Sequence, residues 1–449
     1  MNMNNAAIKN TVAKTNSVAR PYYAAVIGID WADRKHDLAT VPLSVTQQPA
    51  RPPELSILEH KTEALIEWIS SVQERFSGGR IAIAIEQRKG ALIHFLSGFD
   101  FIDLYPIEPL SLNSYRKALY PSGAQSDPVD AALLAEFLLK HQDRLRCYRP
   151  QSAPVRQCAQ YCEHRRRFVD ERAQALQCLK ASLKLYFPLA LELFADLSTD
   201  LVRAFLGRWS TLEQLQRANR ATLRSFFYRH GSRSKKVITR RLELIAASRP
   251  LTSDPGVIEP QTLRVKCLLE QIGTLSRSIA AYEERIEGLI QLLDCDGVFA
   301  SLPGAGACLV PRLAVLFGQD RSRFESAAEV QMLTGTAPVT RQSGKKKLVS
   351  MRWACSTFQR QSLVEYALSS LRFSQWARAF YASHMPEDPN ADKPTYTVLR
   401  KLAFKWLRII YRCWQTRTPY DESRYLESLR RSGSPLWRHL QQANAPASS

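Results

Sequence analysis

Ala24-Ala25-Val26-Ile27-Gly28-Ile29-Asp30 is an unbroken apolar run closed by an acid. Such a run suits a strand buried on both faces, and an acid ending it is costly unless paired or metal-bound. A second run of the same form follows, Ile81-Ala82-Ile83-Ala84-Ile85 closing on Glu86. Between them, His36–Val45 and Leu55–His60 read as shorter strands, hairpin partners of the first. Thr62–Phe76 has helical spacing through Leu65, Ile66, Trp68, Ile69 and Val72. Ala91–Leu96 then reads as a helix, Phe101–Ile107 as a strand, and Asp127–His141 as a helix with Ala131, Leu134, Ala135 and Leu138 on one face. Strands and helices in this order predict an α/β domain with a mixed sheet over residues 22–150.

The chemistry-bearing residues fall at the ends of these elements. Ser126-Asp127-Pro128-Val129-Asp130 opens a helix with two acids three positions apart. Asp30, Glu86, Asp127 and Asp130 are thus placed as in a nuclease of the RNase H type, where carboxylates gather one or two Mg²⁺ ions for phosphodiester cleavage. The bland alternative is strong for Asp127, because Asp before Pro is a good helix cap. Asp130 could serve only the helix dipole. All four at compatible places favour the metal-binding reading.

The 449 residues leave room for two or three domains. The formal charge is +20, which attracts polyanions. From Arg144 to Pro250 there are 22 Lys and Arg against 8 Asp and Glu, so the positive charge lies outside the carboxylate domain. The nine cysteines form no paired framework, and Cys158, Cys162 and His164 lack the second pair that a zinc site needs. Reduced thiols are expected. No apolar run is long enough for a membrane span. Residues 1–21 read as a disordered leader.

After Pro150 helical patterns take over. Arg156–Leu185 and Leu191–Leu206 read as helices, with Arg165, Arg166 and Arg167 on the surface of the first, and Gly231–Lys236 as a basic loop carrying Lys235 and Lys236. Leu263, Cys267, Ile272, Leu275, Ile279, Tyr282, Ile286, Leu289 and Leu293 mark a long amphipathic helix, its stripe wide enough for coiled-coil packing between protomers. The middle region is set at 151–294, a C-terminal helical domain at 295–430, and a tail at 431–449. Pro303-Gly304-Ala305-Gly306 resembles the turn of helix-hairpin-helix modules, in which Gly304 and Gly306 would let backbone amides approach phosphate. Thr340–Lys347 reads as a loop or short hairpin, Glu387–Lys393 as an exposed loop, and Tyr396–Trp414 as the final helix. Between Val330 and Val364 there are six basic residues, including Arg341, Lys345, Lys346 and Lys347, and no acid. A Ser-Gly turn is the bland account of Ser343; the cationic setting raises it, because it would hold phosphate there and support a serine nucleophile.

Gly28-Ile29-Asp30, Ile85-Glu86 and Ser122–Ala131 resemble the first domain of the DEDD-type transposases of the IS110 family, shared with the related pilin-gene invertases. Leu302–Gly306, Gly335-Thr336-Ala337-Pro338, Gln342-Ser343-Gly344 and Trp406–Tyr420 resemble that family's second conserved domain. The resemblance implies a RuvC-like domain in which Asp30, Glu86, Asp127 and Asp130 bind Mg²⁺, two ions being expected. It implies that Ser343 attacks DNA and forms a covalent phosphoserine. It further implies a structured noncoding bridge RNA pairing with target and donor DNA, a homo-oligomer (dimer or tetramer), and a bacterial, cytoplasmic, nucleoid-associated enzyme with no membrane partner. Gln125 departs from the lysine that related sequences often carry there. The rival expectations are a junction-resolving nuclease using the same carboxylates without a serine step, and a non-catalytic nucleic-acid-binding protein whose acids are structural.

Overall fold

The computed structural model describes residues 21–86, 90–119, 126–344, 346–385 and 395–444. Residues 1–20 of the expected leader, Ser122–Gln125, Lys345 and the expected loop Glu387–Lys393 lie outside the described residues. The chain divides into two compact units, residues 1–150 and 151–449.

In the first unit β1 (Ala25–Asp30), β2 (Lys35–Pro42), β3 (Glu54–Glu59), β4 (Ile81–Ile85) and β5 (Ile102–Pro106) form one sheet in the order β3-β2-β1-β4-β5. The first three strands run antiparallel to their neighbours, and β1, β4 and β5 are parallel. Side chains alternate along a strand, and the central strands are apolar on both faces because both are covered. Ala25, Ile27 and Ile29 of β1, with Ile81, Ile83 and Ile85 of β4, pack with residues of α1 (Thr62–Arg75) and α2 (Ala91–Leu96). The even-numbered Val26, Ala82 and Ala84 pack with residues of α3 (Pro109–Leu119) and α4 (Asp127–His141). The helix α3 was not anticipated from the sequence. Helix α4 lies so close on β1 that a Cβ on Gly28 would stand 2.0 Å from the Ala131 carbonyl oxygen and 2.7 Å from the Ala135 nitrogen.

Among the described residues the second unit is helical apart from one hairpin. Its frame is an antiparallel pair, α5 (Ala153–Tyr186) against α11 (Pro255–Leu293). The pairing is fixed by Arg165 with Glu283 and Arg172 with Ser276. Between them run α6 (Leu189–Leu193), α7 (Asp200–Arg208), α8 (Leu212–Gln216), α9 (Arg220–Arg229) and α10 (Lys235–Ala247). The single helix expected over Leu191–Leu206 is therefore two, because the chain turns extended at Phe194 and restarts where Thr199 caps α7. This group shares a core with one end of the pair, through Leu179, Leu183, Val265 and Leu269.

The other end of the pair joins a second core with α12 (Gly306–Phe317), α13 (Ala327–Leu333), α14 (Thr357–Ser370), α15 (Gln375–Ala382), α16 (Thr395–Thr416), α17 (Glu422–Arg431) and α18 (Pro435–Asn444). Residues 435–444, read as tail, form α18, whose Leu436 and Leu440 are buried in that core. The stripe of the long helix is consumed inside the chain. Ile272, Leu275, Ile279, Ile286 and Leu293 are buried, whereas Leu263 and Cys267 face solvent. Twelve residues separate α11 from α12, so Pro303–Gly306 is not a tight hairpin between two helices. Among the described residues no helix is long and apolar enough to cross a membrane.

Candidate active site

Strand alternation decides where the first two acids point. Val26 and Gly28 face α4, and Asp30 continues that parity at the end of β1; Ala82 and Ala84 do the same for Glu86, which follows β4. Asp37 of β2 is paired in register with Asp30 and is buried. The first turn of α4 supplies Asp127 and Asp130. Ser126 holds the cap position with extended backbone and makes no side-chain cap bond, so Asp127 is the first helical residue. Asp127 is therefore not the cap of this helix.

The electrostatics show that these acids are neighbours. Burial, with the charges of Asp130, Asp127, Glu86 and Asp37 added to it, pushes the Asp30 carboxyl up to about 6. Burial and then Asp130 also raise Glu86, while Arg116 pulls it down. Burial is the largest effect on Asp130, which is raised despite an ion pair with Arg116. Asp103 of β5 provides a contrast. Burial would raise it, but hydrogen bonds from Arg80 and Tyr23 hold it below the usual range. A buried acid in this unit can be satisfied by donors; Asp30 is left among other acids.

Oxygen donors of this kind suit a hard divalent ion, so the donor chemistry of Asp30, Glu86, Asp127 and Asp130 fits Mg²⁺. Among the described residues, however, no three His, Cys, Asp or Glu side chains converge tightly enough to hold a metal ion. Asp130 is instead engaged by Arg116 of α3, Nη2 to Oδ1 at 2.8 Å. Sequence reasoning missed Arg116 and Asp37. Asp37 lay within the strand read over His36–Val45, a hairpin partner of the strand that ends at Asp30; Arg116 had no signal, because its helix was not recognised.

Ser343 lies in the second unit. It ends β6 (Val339–Ser343), which pairs with β7 (Lys346–Ser350), placing Ser343 opposite Lys346 and Arg341 opposite Leu348. Cross-strand partners share a face, so the serine stands with Arg341, Lys346 and Leu348. Gly344 makes the turn with φ of 56°. A cleft of about 400 Å³ is lined by Arg341, Gln342, Ser343, Lys346, Lys347 and Leu348. The serine is exposed, and Leu348 is open to solvent beside it.

The other expected contact residues are used differently. Arg165 and Arg166 are not free surface charges: Arg165 pairs with Glu283, and Arg166 with Asp170 and Glu365. Arg167 is exposed. Arg165, Arg166 and Gly306 do come together, around a cleft of about 780 Å³ that also includes Cys308 and Arg312. Gly304 is demanded by packing, since a Cβ there would meet Phe373 and Ser369 within 3.0 Å at a φ of 79°. A Cβ on Gly306 would meet nothing within 4 Å. Lys235 and Lys236 are exposed, but they open α10 rather than lying in a loop.

Known families account for both units. A model of the IS110-type DEDD transposase domain, described as a transposase, matches residues 27–188 and so spans all four acids. A second, described as a transposase of the IS116/IS110/IS902 family, matches residues 296–382 and spans Ser343. The chain belongs to the IS110 family of transposases. It is similar to the mini-circle putative transposase for IS117 of Streptomyces coelicolor, 27% identical over 405 residues that cover 88% of this chain and 95% of that one. It is also similar to the putative transposase y4uE of Sinorhizobium fredii, 26% identical over 218 residues, 46% of this chain and 56% of that one. As an IS110-family transposase the chain binds DNA and is an enzyme of DNA transposition, one that cuts and rejoins strands for an insertion sequence.

Proposed function

We propose that this IS110 transposase cuts DNA with a RuvC-like carboxylate centre loaded with Mg²⁺ and uses Ser343 as a covalent nucleophile, guided by a bridge RNA. The observation that carries the reading is the gathering of Asp30, Glu86, Asp127 and Asp130 at the ends of β1 and β4 and the start of α4, where Asp30 feels the charges of the other three. The strand order, with the parallel strands β4 and β5 on one side of β1 and antiparallel β2 and β3 on the other, supports the RuvC-like assignment. When bound, Mg²⁺ supplies Lewis-acid stabilisation of the phosphate and leaving oxygen. Asp30, Glu86, Asp127 and Asp130 would hold it.

The residues of the hairpin carry the covalent step. Arg341 and Lys346 share the face of Ser343 and neutralise the phosphate that approaches it. An Oγ–phosphorus bond forms as the strand's own phosphorus–oxygen bond breaks; the hydroxyl proton leaves and the departing oxygen gains one. Attack by that oxygen on the phosphoserine reverses the exchange, so rejoining consumes no nucleotide. The bridge RNA rests on family likeness and on the charge of residues 151–449, and sequencing of co-purifying RNA tests it. Association of protomers as a dimer or tetramer would use surfaces other than the stripe of α11, which is consumed within the chain.

Ser343→Ala is expected to fold and bind DNA as the parent does, yet to lose recombination and any protein–DNA adduct. Trapping on a nicked substrate and mapping the adduct by mass spectrometry checks this. An adduct elsewhere, or full activity in Ser343→Ala, would favour a resolvase-like nuclease without a covalent step.

A further inference from the structure

Arg116 is a charged residue held in the interior beside acids. Its exposure is 9%, and with Leu112, one turn earlier, it makes up the buried face of α3. A buried guanidinium is retained only where its charge is answered. Among the described residues the answer is one ion pair, Nη2 to Asp130 Oδ1 at 2.8 Å, with both side chains largely shielded and that Oδ1 left without a hydrogen bond. The arginine fork has further donors, and Nε is buried with no hydrogen-bond partner among the described residues. The pair is therefore not a closed two-point clamp. The backbone at Asp130 is held independently of the arginine, its N–H donating to the Ser126 carbonyl in the first turn of α4 at 3.0 Å.

We propose that Arg116 is a built-in counter-ion of the carboxylate centre: it occupies Asp130 while no metal is bound and competes with an incoming divalent ion for that carboxylate, thereby setting the metal affinity of the site. The inference rests on the reading of the four acids as metal ligands. Without a cation, Asp30, Glu86, Asp127 and Asp130 repel one another in a partly desolvated place, and Arg116 relieves that repulsion. When Mg²⁺ enters, the same positive charge opposes it. An ordinary structural ion pair between α3 and α4 would behave otherwise, contributing equally with and without metal.

The test uses the full chain as wild type, Arg116→Gln and Arg116→Lys, with Mg²⁺ alone as probe. Calorimetry should show Mg²⁺ binding about tenfold tighter in Arg116→Gln, roughly 1.4 kcal/mol of coupling, and near the wild-type value in Arg116→Lys, which keeps the charge. Thermal unfolding should show Arg116→Gln less stable than wild type in chelator, with the gap closing in saturating Mg²⁺. Equal or weaker Mg²⁺ binding by a folded Arg116→Gln, or a gap that Mg²⁺ leaves unchanged, overturns the proposal while sparing the metal reading. No Mg²⁺ binding by wild type overturns both. Should Arg116→Gln not fold, wild-type protein labelled with ¹⁵N-arginine decides, its Arg116 resonance identified through Arg116→Lys. A shift of the Nε–H signal on adding Mg²⁺ supports displacement; a signal unmoved while Mg²⁺ binds refutes it.

Discussion

Asp30 works against the fold that holds it. Its carboxyl, raised by burial and then by neighbouring acids to about 6, takes up a proton in the folded chain that an unfolded aspartate, titrating near ~4, does not. The stability linked to that proton is fully present below about pH 4 and is lost as pH rises through 6. Asp30→Asn should therefore unfold at a higher temperature than wild type in chelator at pH 7.5, and the difference should shrink towards pH 5. After allowance for solvent screening the gain is on the order of 1 kcal/mol, or about 2–4 °C. The same variant should lose strand cleavage. A lower melting temperature for Asp30→Asn at pH 7.5, or an unvarying difference across this range, would refute the account. Asp30 and Glu86 were legible because an acid closing an apolar strand is half-desolvated and is costly there unless paired or metal-bound. Asp127 was not separable from a helix cap until Ser126 was seen at the cap position.

At the level of elements, the positions of Asp127 and Asp130 depend on how closely α4 approaches β1. Gly28 permits that approach: a Cβ there would overlap the backbone at Ala131 and Ala135, which cannot move as a flexible side chain could. Gly28→Ala should cost about 1–3 kcal/mol or more and shift the helix that carries two of the acids, lowering both melting temperature and cleavage. Gly288→Ala is the control. That glycine lies in α11 with nothing within 4 Å of an added Cβ, so the change should stabilise by about 0.5–1 kcal/mol through helix propensity. Equal effects at the two sites would mean that α4 is not tightly seated. The strands and α4 could be read from apolar periodicity, but α3 could not. Its Ser111, Asn113 and Ser114 dilute the apolar spacing, and its buried face is completed by an arginine rather than a hydrophobe. The long helix was legible as a helix, while its partner was not, because a stripe of apolar residues looks the same whether it meets another protomer or α5.

Across the whole chain, charge and chemistry are segregated. Residues 1–150 carry 17 Lys and Arg against 16 Asp and Glu, leaving +19 of the total +20 in residues 151–449. The carboxylate unit thus contributes little to attraction for a polyanion. DNA binding by the full chain should weaken steeply as salt rises, with log affinity falling linearly in log salt at about −0.9 per phosphate neutralised. Asp30→Asn should leave that slope unchanged, since the acids are not part of the basic surface. A flat salt response in a filter-binding or anisotropy titration would contradict the electrostatic division of labour. Net charge predicted this behaviour from sequence alone, but not that Arg165 and Arg166 would be occupied by Glu283, Asp170 and Glu365.

The two cores of the second unit meet the paired α5 and α11 only near their ends. Between Cys162 and Ala175, about 20 Å apart at 1.5 Å per residue, neither core draws a buried residue from α5. Such a stem is a caliper. It holds the group of helices at its far end at a set separation from the core that α12 to α18 share, with a step size fixed by the helical rise. Because the two cores share no side chains, that distant group, most of which lies between the two stretches matched by family models, is free to diverge in sequence without disturbing the other core.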